Sequence, residues 1–420
     1  MPAAPMHPFT ALFLALLAAS LALRLWLLRR QARAARAHRA RVPAPFAGAV
    51  SGQEHAKAAD YTVAQARHAG WHAAWGALLL VALTVGGGIV AIDRAVAAAG
   101  LAPLAHGVAV IGAAAFLLAL ADLPFELWGT FGIEARFGFN RTTPALFALD
   151  WLRGLAVGAV LLLVPVAGLL WLMAGTGPAW WVWAWAAWTA FSLLVLFAWP
   201  RLIAPIFNRF RELEDGELRA GVEALARRCG FEPASVQVMD GSRRSTHGNA
   251  YFTGFGRSKR IVFFDTLLQS LSPPQVQAVL AHELGHFRLR HVAWRIVRSL
   301  AAALAGFALL AWLAGEPWFQ PALGVAGGGP HTLLLLFALV APAFLWPVRP
   351  LAAWLSRRHE FQADDFAARH SDAAALADAL VRLHRDNAAT LTPDPVYTAF
   401  YASHPPVLTR IDRLSASSRA

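Results

Sequence analysis

Ser272-Pro273-Pro274-Gln275 opens a stretch that runs on to Ala281-His282-Glu283-Leu284-Gly285-His286. The first four residues supply a cap, first-turn prolines and a glutamine at the capping-box position, so a helix is expected to follow. On that helix the later residues read H-E-x-x-H, the signature of zinc hydrolases. A helix advances about 100° per residue, so His282 and His286 project from one face and can bind one zinc ion. Glu283 stands one position round from His282 and can lean towards a metal-activated water without taking a ligand site. A metal that lowers the pKa of its water to about 7 makes that water a nucleophile once a carboxylate accepts the proton. This geometry gives Glu283 that role.

A zinc peptidase needs a third protein ligand and an open fourth position, so a carboxylate or histidine must arrive from a second element. The chain offers Arg358-His359-Glu360-Phe361-Gln362-Ala363-Asp364-Asp365. Glu360 and Asp364 are four apart, so one can reach the metal while the other hydrogen-bonds a ligating histidine. His291, His331 and His370 read as interfacial or capping histidines rather than ligands.

Following the H-E-x-x-H helix after an apolar interval, Glu360-Phe361-Gln362-Ala363-Asp364 resembles the type I CAAX prenyl proteases, a family of integral-membrane zinc metallopeptidases. Phe137-Gly138-Phe139-Asn140-Arg141-Thr142-Thr143, Leu213 to Leu218, Val238 to Arg244, Asn249-Ala250-Tyr251-Phe252-Thr253-Gly254 and Ser403-His404-Pro405-Pro406 are similar to the family's blocks, in the family's order. The resemblance covers essentially the whole chain. It implies an endopeptidase with one zinc ion per chain, its site enclosed within a bundle of membrane helices. It assigns Glu360 to the zinc and Asp364 to a ligating histidine. His404 takes the place of the family's donor to the oxyanion, and Arg410 that of the arginine steadying the site through carboxylate contacts. Asn249, with Ala250 and Tyr251 after it, matches a substrate-binding position near the active site. For substrates the resemblance leaves two classes: prenylated C-terminal Cys-a-a-X tails, and damaged membrane proteins or hydrophobic peptides. A transporter with a vestigial zinc site and a non-catalytic membrane clamp are disfavoured by the presence of Glu283.

Composition places the chain in a bilayer independently of these motifs. Of 420 residues 57% are hydrophobic and only 15% charged, with 17 Trp, far from a soluble profile. The net charge of +12 does not indicate nucleic acid, because the arginines cluster beside apolar runs, as the positive-inside rule expects. The single cysteine, Cys229, excludes an intramolecular disulfide and reads as a packing residue at the end of an amphipathic helix expected from Leu213 to Arg228.

Apolar runs predict about seven spans: Phe9 to Leu28, Trp71 to Ile92, His106 to Leu123, Leu152 to Met173, Trp180 to Trp199, Leu300 to Leu313 and Thr332 to Val348. Trp180, Trp181, Trp183, Trp185 and Trp188 read as an interfacial belt with lipid-facing packing. Six arginines between Arg29 and Arg41 hold the first loop in the cytoplasm, and the stretch from Ala314 to His331 has no Lys or Arg and belongs outside. The expected organisation is a membrane region over residues 1–200 and a small α+β soluble insert over 201–291. Two spans over 292–349 and a helical C-terminal region over 350–420 complete it. Insert and C-terminal region face the cytoplasm, and the Ala- and Arg-rich composition, with no retrieval signal at Ser417-Ser418-Arg419-Ala420, points to a bacterial inner membrane.

Within the insert, Val236-Gln237-Val238, Ala250 to Phe255 and Arg260 to Phe264 read as short strands, with Gly254 and Gly256 as breakers. A peptide held extended along a sheet edge would present its scissile carbonyl in register beside the zinc helix.

Overall fold

The first helix, α1 (Pro8–Ala37), starts from Pro8 in its first turn behind His7, whose ring accepts the Phe9 N–H at 3.2 Å. The computed structural model describes residues 6–253 and 259–417. Next, α2 (Gly52–Leu83) opens on a capping box between Ser51 and Glu54, and α3 (Gly88–Ala97) follows after a short break. α4 (Pro103–Leu127) runs on through a wider helical stretch to Glu134, and α5 (Pro144–Gly175), α6 (Trp180–Ala198) and the single turn α7 (Ala204–Phe207) complete this half.

Among the described residues, six helical runs are long and apolar enough to cross a membrane, or seven if α2 and α3 form one broken span. Trp71 to Ile92, expected as one span, is bent by 56° where α2 meets α3. The cause is the run Gly86-Gly87-Gly88: Gly87 has φ +80°, and a Cβ at Gly86 would stand 2.7 Å from the Ala82 carbonyl oxygen. Val164, Trp171 and Leu194 are about 60% exposed, a surface suited to lipid. Trp183 shares that surface, but Trp180 is buried and Trp185 donates its N–H to the Leu300 carbonyl. Ionisable residues of α2 and α4, His68, His72, Asp122 and Glu126, line a common cavity of about 580 Å³.

The insert is a four-stranded sheet with helices on it. β1 (Phe210–Glu212), α8 (Glu217–Arg228), β2 (Ser235–Met239), β3 (Ala250–Thr253), β4 (Arg260–Phe264), α9 (Asp265–Ser270) and α10 (Pro273–Arg288) follow in order. Strand order is β1-β2-β4-β3, with β2 and β4 parallel and the outer pairs antiparallel. β4 occupies the residues its apolar run predicts. β1 was not foreseen, since its three residues include two exposed charges and show no alternation. Helix α8 starts at Glu217 rather than Leu213, because Gly216 is extended and Leu213 instead bonds its N–H to Val236 in the sheet. Cys229 caps its end and is buried. Gly254, Gly256 and the end of the expected Ala250 to Phe255 strand lie outside the described residues.

The chain then returns to the bundle through α11 (His291–Ala314), the short α12 (Phe319–Ala322) and α13 (Pro330–Leu345), and leaves it along α14 (Arg349–His370). α15 (Ala373–Asp386), α16 (Pro395–Tyr401) and α17 (Val407–Ser417) fold back over the insert. One core unites the two: Phe231, Phe263, Leu280 and Leu284 from the insert pack with Phe366, Leu376, Leu380 and Leu414. Arg30, at the arginine-rich end of α1, grips Asp394 with two hydrogen bonds, and Arg39 pairs with Asp60 at 2.8 Å. The arginine-rich loop, the insert and the C-terminal helices therefore share one end of the bundle.

Candidate active site

Helix α10 owes its start to Ser272 and Gln275, whose side chains each accept the other's backbone N–H. Its apolar residues, Val276, Leu280 and Leu284, enter the shared core. That burial fixes the helix's rotation and leaves His282, Glu283 and His286 facing α14. Gly285 makes the approach of α14 feasible: a Cβ there would stand 3.1 Å from both Ala363 Cα and Phe366 Cβ.

His282 Nε2 and His286 Nε2 lie 3.3 Å apart. Glu360 faces both, with Oε2 3.4 Å from the first and Oε1 3.3 Å from the second. A tetrahedral ion with ligands at about 2.0–2.1 Å requires ligand atoms about 3.3–3.4 Å apart, so these three residues fit zinc dimensions. The far sides of the rings support the same fit. His282 Nδ1–H donates to Asp364 Oδ1 at 2.8 Å, and His286 Nδ1–H donates to His291 Nδ1 at 3.0 Å. His291 in turn gives its Nε2–H to Gln362 Oε1 at 3.0 Å. Each chain of donors leaves an Nε2 lone pair aimed at the common point.

Electrostatics favours positive charge here. Burial opposes a charged imidazole at His282, but the Asp364 and Glu360 carboxylates outweigh it and push its pKa up to about 9. Arg410 closes on Asp364 with Nε to Oδ2 at 2.8 Å and Nη2 to Oδ1 at 2.6 Å, and stands 3.9 Å from Glu360. It is almost fully buried, which only a paired guanidinium tolerates. Glu283 lies among the charges of His282, His286, Glu360 and His404, and burial holds its carboxyl above the ordinary carboxylate range.

His404 reaches Glu360 Oε2 with Nδ1 at 2.6 Å while its side chain stays 65% exposed, so it borders both the cluster and open space. Arg357, one turn before Glu360, caps the end of α16 by donating to the Thr398 and Ala402 carbonyls at 2.9 Å, which brings Ser403 to Pro406 over the cluster. Asn249, exposed, and Ala250, buried, sit at the start of β3 with Tyr251. Among the described residues β3 pairs with β4 alone, which leaves its other edge open, and it packs on α10.

Sequence reasoning missed His291, His359, Gln362 and Arg357. His359 stacks on His291 with ring centroids 4.1 Å apart. The fold at Arg290 hides this group: its φ of +58° is a left-handed turn that swings His291 back onto His286, and nothing in Leu289-Arg290 announces it. His370 bonds the Phe366 carbonyl, as a capping histidine should.

A multi-span helix bundle carrying a small sheet and an H-E-x-x-H helix closed by a distant carboxylate defines an integral-membrane metallopeptidase. Residues 31–209 match the model for the CAAX prenyl protease N-terminal region of five membrane helices, and residues 212–418 match that for peptidase family M48. The chain belongs to peptidase family M48, in its CAAX prenyl protease branch. It is 34% identical over 305 residues to the CAAX prenyl protease 1 homolog of Arabidopsis thaliana, covering 71% of each chain. It is 29% identical to the Caenorhabditis elegans homolog over 97% of this chain and 98% of that one. Crystalline Ste24p of S. mikatae superposes with a TM-score of 0.89 at 26% identity, over 98% of this chain and all of that one.

Proposed function

We propose that the chain is a zinc endopeptidase whose metal is held by His282, His286 and Glu360. The observation that carries this reading is the set of ligand-atom separations, 3.3, 3.4 and 3.3 Å, on three buried or half-buried side chains from two helices. Zinc bound there supplies Lewis-acid activation of water. Glu283 accepts the water's proton and passes it to the leaving amine, the task its raised pKa suits. His404, beside the cluster with its side chain 65% exposed, donates to the oxyanion that develops on the scissile carbonyl. Asp364 fixes the tautomer of His282, and Arg410 fixes Asp364. The outer edge of β3, from Asn249 to Tyr251, holds the substrate extended through main-chain hydrogen bonds.

Glu283 beside the two histidines favours this reading over a clamp or a transporter, which would need no proton acceptor. The relatives' names bring prenylated C-terminal Cys-a-a-X tails to this chain as the first substrate class, with hydrophobic membrane peptides as the second. The arginines from Arg29 to Arg41 share an end with the catalytic parts, which supports a cytoplasmic active site, and the Ala- and Arg-rich composition favours a bacterial inner membrane. The test is cleavage of a farnesylated Cys-a-a-X peptide and of its unmodified form by purified protein in detergent, with zinc content measured alongside. Chelation should abolish cleavage and stoichiometric zinc restore it; cleavage that persists in metal-free protein would overturn the assignment.

A further inference from the structure

Three side chains meet at the opposite end of the bundle, where α3, α4 and α13 converge. His106 Nε2 lies 2.8 Å and His331 Nε2 2.7 Å from the same Asp93 Oδ1. The two rings stand edge to face with centroids 5.2 Å apart. Asp93 is on α3, His106 in the first turn of α4 and His331 in the first turn of α13, so no local spacing produces the group. All three side chains are at least two-thirds buried.

Space has been left for His331. A Cβ at Gly107 would stand 3.0 Å from His331 Cβ, and one at Gly329 would stand 3.1 Å from its Cε1 and Nδ1. The ring is thus clasped between two glycines with its Nε2 directed at the carboxylate. We propose that Asp93, His106 and His331 form a second divalent-cation site, distinct from the catalytic cluster, which takes zinc or a similar first-row ion. The chemistry fits: two imidazole nitrogens and one carboxylate oxygen are a common zinc donor set, and one potential ligand atom from each lies within 4.8 Å of the others. The present N–O separations are hydrogen-bond lengths, shorter by about half an ångström than the edge of a zinc tetrahedron. Entry of a cation shifts each ring's proton from Nε2 to Nδ1, which frees the two Nε2 lone pairs for the metal, and Asp93, a third exposed, has room to withdraw by that amount. A cation there would tie the α3–α4 hairpin to α13, which leads through Trp346–Val348 into the helix bearing Glu360.

Zinc alone is the probe. Full-length protein in detergent is stripped with chelator, dialysed against zinc and assayed for bound metal by mass spectrometry. Wild type should hold about two ions per chain, Glu360→Ala and His331→Ala about one each, and the double variant none. Cobalt substitution should give a visible d–d spectrum in Glu360→Ala that disappears in Glu360→Ala/His331→Ala. Should His331→Ala fail to fold, Asp93→Asn keeps the shape and removes the charged donor, and it should lose the same ion. A single zinc in wild type, absent from Glu360→Ala, would overturn the proposal, leaving the three residues as a hydrogen-bonded clasp. Two ions that both survive His331→Ala would overturn it equally.

Discussion

Gly285 and Ala363 touch where α10 crosses α14, close enough that a side chain at 285 would stand 3.1 Å from the Ala363 Cα. The contact falls between the two histidines on one helix and between Glu360 and Asp364 on the other. Alanine in a helix is usually worth about 0.5–1 kcal/mol over glycine, whereas overpacking against backbone costs about 1–3 kcal/mol. The second effect should win. Gly285→Ala is expected to lower both thermal stability and zinc affinity; a variant more stable than wild type with normal zinc content would show that α14 yields freely.

Glu283→Gln keeps the side chain's shape and removes its ability to accept a proton. Zinc content should stay near that of wild type while peptide cleavage falls by about three or more orders of magnitude. Retained cleavage would remove Glu283 from the mechanism.

The residues around the cluster should separate by metal affinity. Glu360→Ala should lose most of the catalytic zinc, and Asp364→Ala should weaken binding about 10- to 100-fold. His291→Ala, which breaks the chain from Gln362 to His286, is expected to resemble Asp364→Ala. Competition titrations with a chromophoric chelator distinguish these cases. A larger loss at Asp364 than at Glu360 would exchange their roles.

His384 gives stability a pH dependence. Burial, with the Arg410 charge nearby, lowers its pKa to about 4 from an ordinary 6.5. As pH falls through 6.5 the unfolded chain takes up a proton that the folded chain refuses until about pH 4, so stability declines across that window. At pH 5 the contribution reaches about 2 kcal/mol. The fall in thermal midpoint between pH 7 and pH 5, followed by tryptophan fluorescence, should be smaller in His384→Leu; identical falls would contradict the assignment.

Membrane orientation can be read with single cysteines in a Cys229→Ser background. Asp215 has a side chain 96% exposed on the insert, and Ala326 is exposed in the loop before α13. In spheroplasts of a bacterial expression host, an impermeant maleimide should label Ala326→Cys at once and Asp215→Cys only after the membrane is opened. The reverse order would place the active site outside.

The sequence made legible whatever depends on local spacing. His282, Glu283 and His286 are neighbours on one helical turn, and Glu360 and Asp364 on another, so their grouping followed from the helix repeat. Spans followed from run length, except where three glycines bent one of them. What stayed hidden depends on how distant segments dock. His331 looked like a capping histidine because Asp93 is 238 residues away, and His291 because a left-handed Arg290 reverses the chain. Arg357 was silent for the same reason, since the carbonyls it caps lie more than 40 residues downstream.

The hydrogen bonds joining His282 to Asp364 and Asp364 to Arg410 span 82 and 46 residues of chain, with two membrane helices inside the first interval. During synthesis, the H-E-x-x-H helix therefore leaves the ribosome long before its carboxylate exists. Both α11 and α13 must be threaded into the bilayer before Glu360 arrives, and Arg410 follows Asp364 by a further 46 residues. A nascent chain that has not yet reached Arg410 cannot assemble the cluster with its supporting contacts, so the site is completed only after both helices are in place.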